Sequence, residues 1–168
     1  MEAAPVADGV AERPEIAPRP FTAEQLRAGL PEGSLIRMRT YVIGVPPVEE
    51  LWTFVRCDET TATIAARVYG ADGALLTDEG ERTSTWVELS EHATFPAAAT
   101  VRSEDTVHGP LGPLDVWRYT VTEPGEDGVT EVKQFEFAKT LPGPPVLMTI
   151  EREGVQVFRM HMLERSPR

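Results

Sequence analysis

Residues 60–73 read Thr60-Thr61-Ala62-Thr63-Ile64-Ala65-Ala66-Arg67-Val68-Tyr69-Gly70-Ala71-Asp72-Gly73. Ala62, Ile64, Ala66 and Val68 recur at every second position, with Thr61, Thr63 and Arg67 between them. Side chains alternate across a strand with that period, so the apolar set falls on one face. Asp72-Gly73 then offers the residue types that a tight hairpin favours, because its central positions need positive φ. The stretch predicts a half-buried strand that turns back on itself.

The same texture continues on both sides. Leu51–Cys57 puts Trp52 and Phe54 on one face, and Leu35–Ile43 sets Ile36, Met38 and Val42 against Arg37 and Arg39. Pro46-Pro47 should break the chain between these two strands. Downstream, a strand starting near Ala74 is expected to bend at Gly80 and continue through Trp86 to Leu89. One helical turn follows, Ser90 to Ala93, capped by Ser90 and ended before Pro96. Further strands are expected at 99–107, 114–122, 129–138, 146–152 and 155–164. Their connectors are Gly109–Pro113, Asp127-Gly128, Pro142–Pro145 and the two-residue hairpin Glu153-Gly154. No helix is long enough for a parallel crossover. The fold class is therefore mostly β: a single curled antiparallel sheet of about nine strands, an open or half-closed barrel with a short N-terminal helix.

Residues 1–20 contain Pro5, Pro14, Pro18 and Pro20 among Ala and Glu and lack a periodic apolar face, which predicts a disordered tail. Residues 21–168 then form the antiparallel β domain. Its first element should be a helix over 23–29. Thr22 is placed to cap it with Gln25 closing a capping box, Phe21 and Leu26 stand at staple spacing, and Gly29 and Pro31 stop it. The helix is expected to cover one end of the sheet.

Composition excludes some functions. Twenty-seven acidic residues against 16 basic give a net charge of −11, and no run of Lys or Arg occurs. Such a surface repels phosphate backbones, so nucleic acid is not an expected partner. The N-terminus has neither a basic n-region nor an apolar h-region, and no stretch approaches the ~18 apolar residues of a membrane helix. A chain starting at Met1 is expected in the cytoplasm, and one with a natural leader upstream in the periplasm. Arg greatly outnumbers Lys and Asn is absent, a bias that GC-rich coding DNA produces. The single cysteine, Cys57, cannot form an internal disulfide and reads as a small strand-end side chain.

Several segments carry a resemblance: Phe21-Thr22-Ala23-Glu24-Gln25-Leu26, Trp86-Val87-Glu88-Leu89 with His92-Ala93-Thr94-Phe95-Pro96, Leu111-Gly112-Pro113-Leu114-Asp115-Val116-Trp117-Arg118-Tyr119, and Leu141-Pro142-Gly143-Pro144-Pro145-Val146. Together they resemble uncharacterised bacterial β-rich proteins of the lipoprotein-carrier-like, half-barrel type. The resemblance implies a fold and no activity, because its motifs mark turns and core packing.

The sequence contains no motif for nucleophilic, metal or nucleotide chemistry, so no catalytic residue, metal ligand or cofactor is assigned. His92, His108 and His161 lack metal-ligand spacing. On a strand, Met160 and Met162 face one way and His161 the other, so this trio cannot close on a soft metal. The aromatics are the informative set. Trp52 and Phe54 share a face, as do Trp117 and Tyr119, and Phe135 and Phe137. If all six point into the curl they make either solid core or the lining of an apolar pocket. The first functional reading is a non-enzymatic module holding an apolar or amphipathic small molecule against these residues. The alternative is a protein-interaction or assembly component using a sheet edge or the N-terminal tail. Oligomeric state has no signature in the sequence.

Overall fold

A computed structural model describes residues 15–168. Nine strands build one sheet: β1 (Leu35–Val42), β2 (Val45–Cys57), β3 (Thr61–Gly70), β4 (Leu75–Thr85), β5 (Thr100–Gly109), β6 (Gly112–Pro124), β7 (Thr130–Ala138), β8 (Leu147–Arg152) and β9 (Val155–Ser166). All eight neighbouring pairs are antiparallel. The order is β4-β3-β2-β1-β9-β8-β7-β6-β5, so the first and last strands meet at the centre and the sheet is not closed. Two short helices, α1 (Ala23–Gly29) and α2 (Trp86–Glu91), and a 3-10 turn at Ala97–Ala99 complete the described chain.

Topology forces the sheet to curl. The edge strands β4 and β5 are consecutive in sequence but lie at opposite ends of the order. Flat, they would stand eight spacings of about 4.8 Å apart, some 38 Å. The link over residues 86–99 contains a helix and a 3-10 turn and reaches only about 32 Å at full stretch. The sheet must bend toward this link, which places α2 on the inner face. There Trp86 stacks on Phe54 of β2, and Phe95 packs on Tyr119 of β6 and Phe135 of β7. The core lies between this crossing chain and the sheet.

Three local expectations are corrected. Trp86–Leu89 is not a continued strand but the body of α2. Thr85 and Glu88 form a capping box around its first turn, with Glu88 N–H donating to Thr85 Oγ1 at 3.1 Å and Thr85 N–H to Glu88 Oε2 at 2.8 Å. Thr85, not Ser90, is therefore the cap, and Ser90 is buried with its hydroxyl on the Val87 carbonyl. Pro46-Pro47 does not break the chain either. Thr40 pairs with Val48 and Val42 with Val45, so both prolines sit opposite Tyr41 in a bulge of β2. Pairing of β2 with β3 begins only at Val48, and no ladder bond is asked of the prolines.

Residues 15–20, expected to belong to the disordered tail, pack against the crossing chain instead. They run along the inner face: Ile16 bridges Pro96, Ala17 N–H donates to the Phe95 carbonyl at 2.9 Å, and Ala97 N–H donates to the Glu15 carbonyl at 3.0 Å. Extended backbone can pair with the crossing chain whether or not its own side chains are periodic, and Ala17 and Pro20 are buried there. Residues 1–14 of the expected tail lie outside the described residues.

Candidate functional site

Register places a continuous apolar row on the inner face. Met160 of β9 lies beside Met148 of β8, Met148 beside Phe135 of β7, and Phe135 beside Tyr119 of β6. On the other half of the sheet, Met38 of β1 lies beside Glu50 of β2, two residues from Trp52 and four from Phe54. Alternation fixes which residues of one strand share a face, and register sets which residues of neighbouring strands meet there.

Above the row stands a roof made of α1, α2 and the β7–β8 loop. Arg165 of β9 holds two of these parts together. Its guanidinium donates to the carbonyls of Leu141 at 3.1 Å, Pro142 at 2.6 Å and Gly29 at 3.0 Å, the last at the end of α1. Only 4% of this residue is exposed, and burial lowers its pKa to about 10, which leaves it charged at neutral pH. Gly143 lets the loop approach: its φ is +151°, and a Cβ there would stand 2.9 Å from the Arg165 guanidinium. The α2 end is fixed by the Trp86 indole, which donates to the Asp58 carbonyl at 2.9 Å.

Between roof and sheet remains a cavity of about 250 Å³. Its roof side is lined by Leu26 and Leu30 at α1, Leu89 of α2, Ala93, and Gly143, Pro144 and Pro145 of the β7–β8 loop. From below it is lined by Trp52, Phe54, Phe135 and Phe137, together with Met38, Met148 and Met160. Glu50, Ser90 and His92 are the polar side chains in the lining. The volume lies just under the range of roughly 300–1,000 Å³ usual for small-molecule sites.

Of the six aromatics expected to share a site, Trp52, Phe54, Phe135 and Phe137 line the cavity and Trp117 and Tyr119 do not. Tyr119 is fully buried beneath Phe95 and beside Phe137, with ring centroids 5.1 and 5.7 Å away. Its hydroxyl donates to the Pro18 carbonyl, and burial raises its pKa. Trp117 packs edge-on against Phe21 at 5.9 Å, with the Arg102 guanidinium 5.1 Å and the Lys139 ammonium 5.7 Å from its ring. The inner face over β6 is thus filled by chain, namely residues 15–21 and Phe95. Period-two reading missed this because it assigns a face without saying what covers it. The methionines of the lining carried a same-face signal, Met160 beside Met148, that only register reveals.

Fold and site together define a class: an open, curled, nine-stranded antiparallel sheet with a small apolar cavity under a helical roof. No protein-family model, curated protein or solved structure matches the chain. No helix among the described residues is long and apolar enough to cross a membrane.

Proposed function

We propose that the protein is a non-enzymatic binding module that takes the apolar part of a small amphipathic molecule into the inner cavity. The observation that carries this reading is the pocket itself: about 250 Å³ between the roof and the inner face of the sheet, walled mainly by aromatic rings, methionines and other apolar side chains. The pocket is open to solvent on the side of the exposed His92, so an apolar ligand that enters displaces water from the apolar lining and gains dispersion contacts with it. It holds about eight water-sized volumes, which suits a short alkyl segment or a single ring. Methionine and stacked aromatics make an adaptable wall for such a ligand.

The test is a fluorescence titration with an uncharged, environment-sensitive dye bearing a short alkyl chain. Saturable dye enhancement is expected, with tryptophan quenching that disappears in Trp52→Phe, because Trp52 lines the cavity and Trp86 and Trp117 do not. Absence of saturable binding removes the reading.

The alternative, assembly through a sheet edge, has less support. Edge strand β4 carries Asp78, Glu79 and Glu81 and a bulge at Gly80, whose φ is +70°. Charge and bulge both discourage edge pairing.

A further inference from the structure

Glu49 and Glu50 are neighbours on β2 and face opposite ways. On the outer face, Glu49 is held by Arg39 and Arg37. On the inner face, Glu50 lines the cavity and makes no ion pair among the described residues, its side-chain hydrogen bond there being the Trp52 indole N–H donated to Oε1. Glu50 is also the only Asp, Glu, Lys or Arg in that lining. A carboxylate at the wall of a mainly apolar cavity acts through a lower dielectric than water, so its sign weighs on whatever enters.

Resting on the binding-module reading above, we infer that the cavity selects amphiphiles with a cationic, ammonium-type head group and rejects carboxylates. The apolar tail lies among Phe54, Met148 and Met160, and the head reaches Glu50, whose second oxygen accepts its N–H. A carboxylate head would set two like charges against each other, with no Lys or Arg in the lining to relieve them. The protein's overall charge of −11 acts in the same direction at long range, but salt screens that part.

Three probes of equal chain length decide it: octylammonium, octanol and octanoate, titrated at neutral pH and moderate salt. Octylammonium is expected to bind at least about tenfold more tightly than octanoate, with octanol between them. Glu50→Gln keeps an acceptor for the Trp52 indole and so preserves the fold, checked by circular dichroism. In that variant the difference between the charged probes should collapse to about twofold. Equal binding of octanoate and octylammonium in the native protein overturns the inference and leaves the binding module standing. A preference that survives intact in Glu50→Gln overturns it as well, since the global charge would then account for it. If none of the three binds, the binding-module reading fails and takes this inference with it.

Discussion

Arg165 ties the end of α1 to the β7–β8 loop, two of the three parts of the roof over the cavity. Its guanidinium satisfies three carbonyls from two separate chain segments, none of which has a carboxylate to share. Planar donors in a fork suit this arrangement, and a lysine ammonium cannot reproduce it. Arg165→Met is expected to lower stability by about 3 kcal/mol in urea unfolding, and Arg165→Lys to recover less than half of that. A loss within about 0.5 kcal/mol for Arg165→Met would show that the clamp is decorative. Cys57 gives a second residue-scale prediction. Burial, then the charges of Glu32 and Asp58, raises its thiol pKa, and its Sγ lies 3.7 Å from the Leu30 carbonyl. Alkylation by iodoacetamide at neutral pH should run slower than for a free cysteine, and an equal or faster rate would contradict this. Sequence spacing had already marked Cys57 as a strand-end side chain. Nothing in the sequence marked Arg165, because its partners are backbone carbonyls more than twenty residues away.

Among the elements, α2 tests how far local signals reach. Thr85-Trp86-Val87-Glu88 carries a capping box as plain as the one at Thr22, yet alternation through residues 74–89 read as strand. Two local codes overlapped, and the tertiary contact of Trp86 with Phe54 favours the helix. Thr85→Ala is expected to cost about 1 kcal/mol and to loosen Trp86, seen as a red-shifted emission and a lower melting temperature. An unchanged midpoint would mean that α2 is held by burial alone. The hairpin at Glu153-Gly154 was legible for a simpler reason. Both residues have positive φ, 51° and 76°, as a two-residue turn of that kind demands. The prolines of β2 were misread because their consequence depends on which neighbouring strand is present beside them, and sequence does not state that.

The whole molecule is organised by a central seam of β1 and β9 and by the crossing chain over residues 86–99 that draws the two edges together. Sheet class, strand number and antiparallel sense were readable from period and turns. The order was not, since antiparallel neighbours can be added on either side of a hairpin. Which part of the inner face stays open was also unreadable, because residues 15–21 cover the face over β6 without any periodic signature.

Charge gives a molecule-wide prediction. The Glu49 carboxyl is pulled down by hydrogen bonds from Arg39 and then Arg37, Asp127 by Arg152, and Glu104 by Lys139. Each is lowered on folding, so the unfolded chain binds more protons, and the stability they contribute is lost as pH falls below their ordinary value of about 4. The His161 imidazole is also lowered, by burial and then by Arg159 and Arg39. Its contribution therefore declines earlier, as pH drops below about 6.5. Urea midpoints should show a shallow fall in the upper window and a steeper one in the lower. A midpoint that rose on acidification would contradict these pairings.

A ligand bound as proposed lies in the pocket on the inner face of the sheet. Methyl NMR of the protein labelled at methionine reports on it directly, because Met38, Met148 and Met160 line the cavity while Met162 is buried outside that lining. On saturation with octanol, the first three methyl signals should move together along one binding curve and Met162 should move least. Methionine signals that stay fixed while amides on β4 or β5 respond would place binding on the edges and contradict the account.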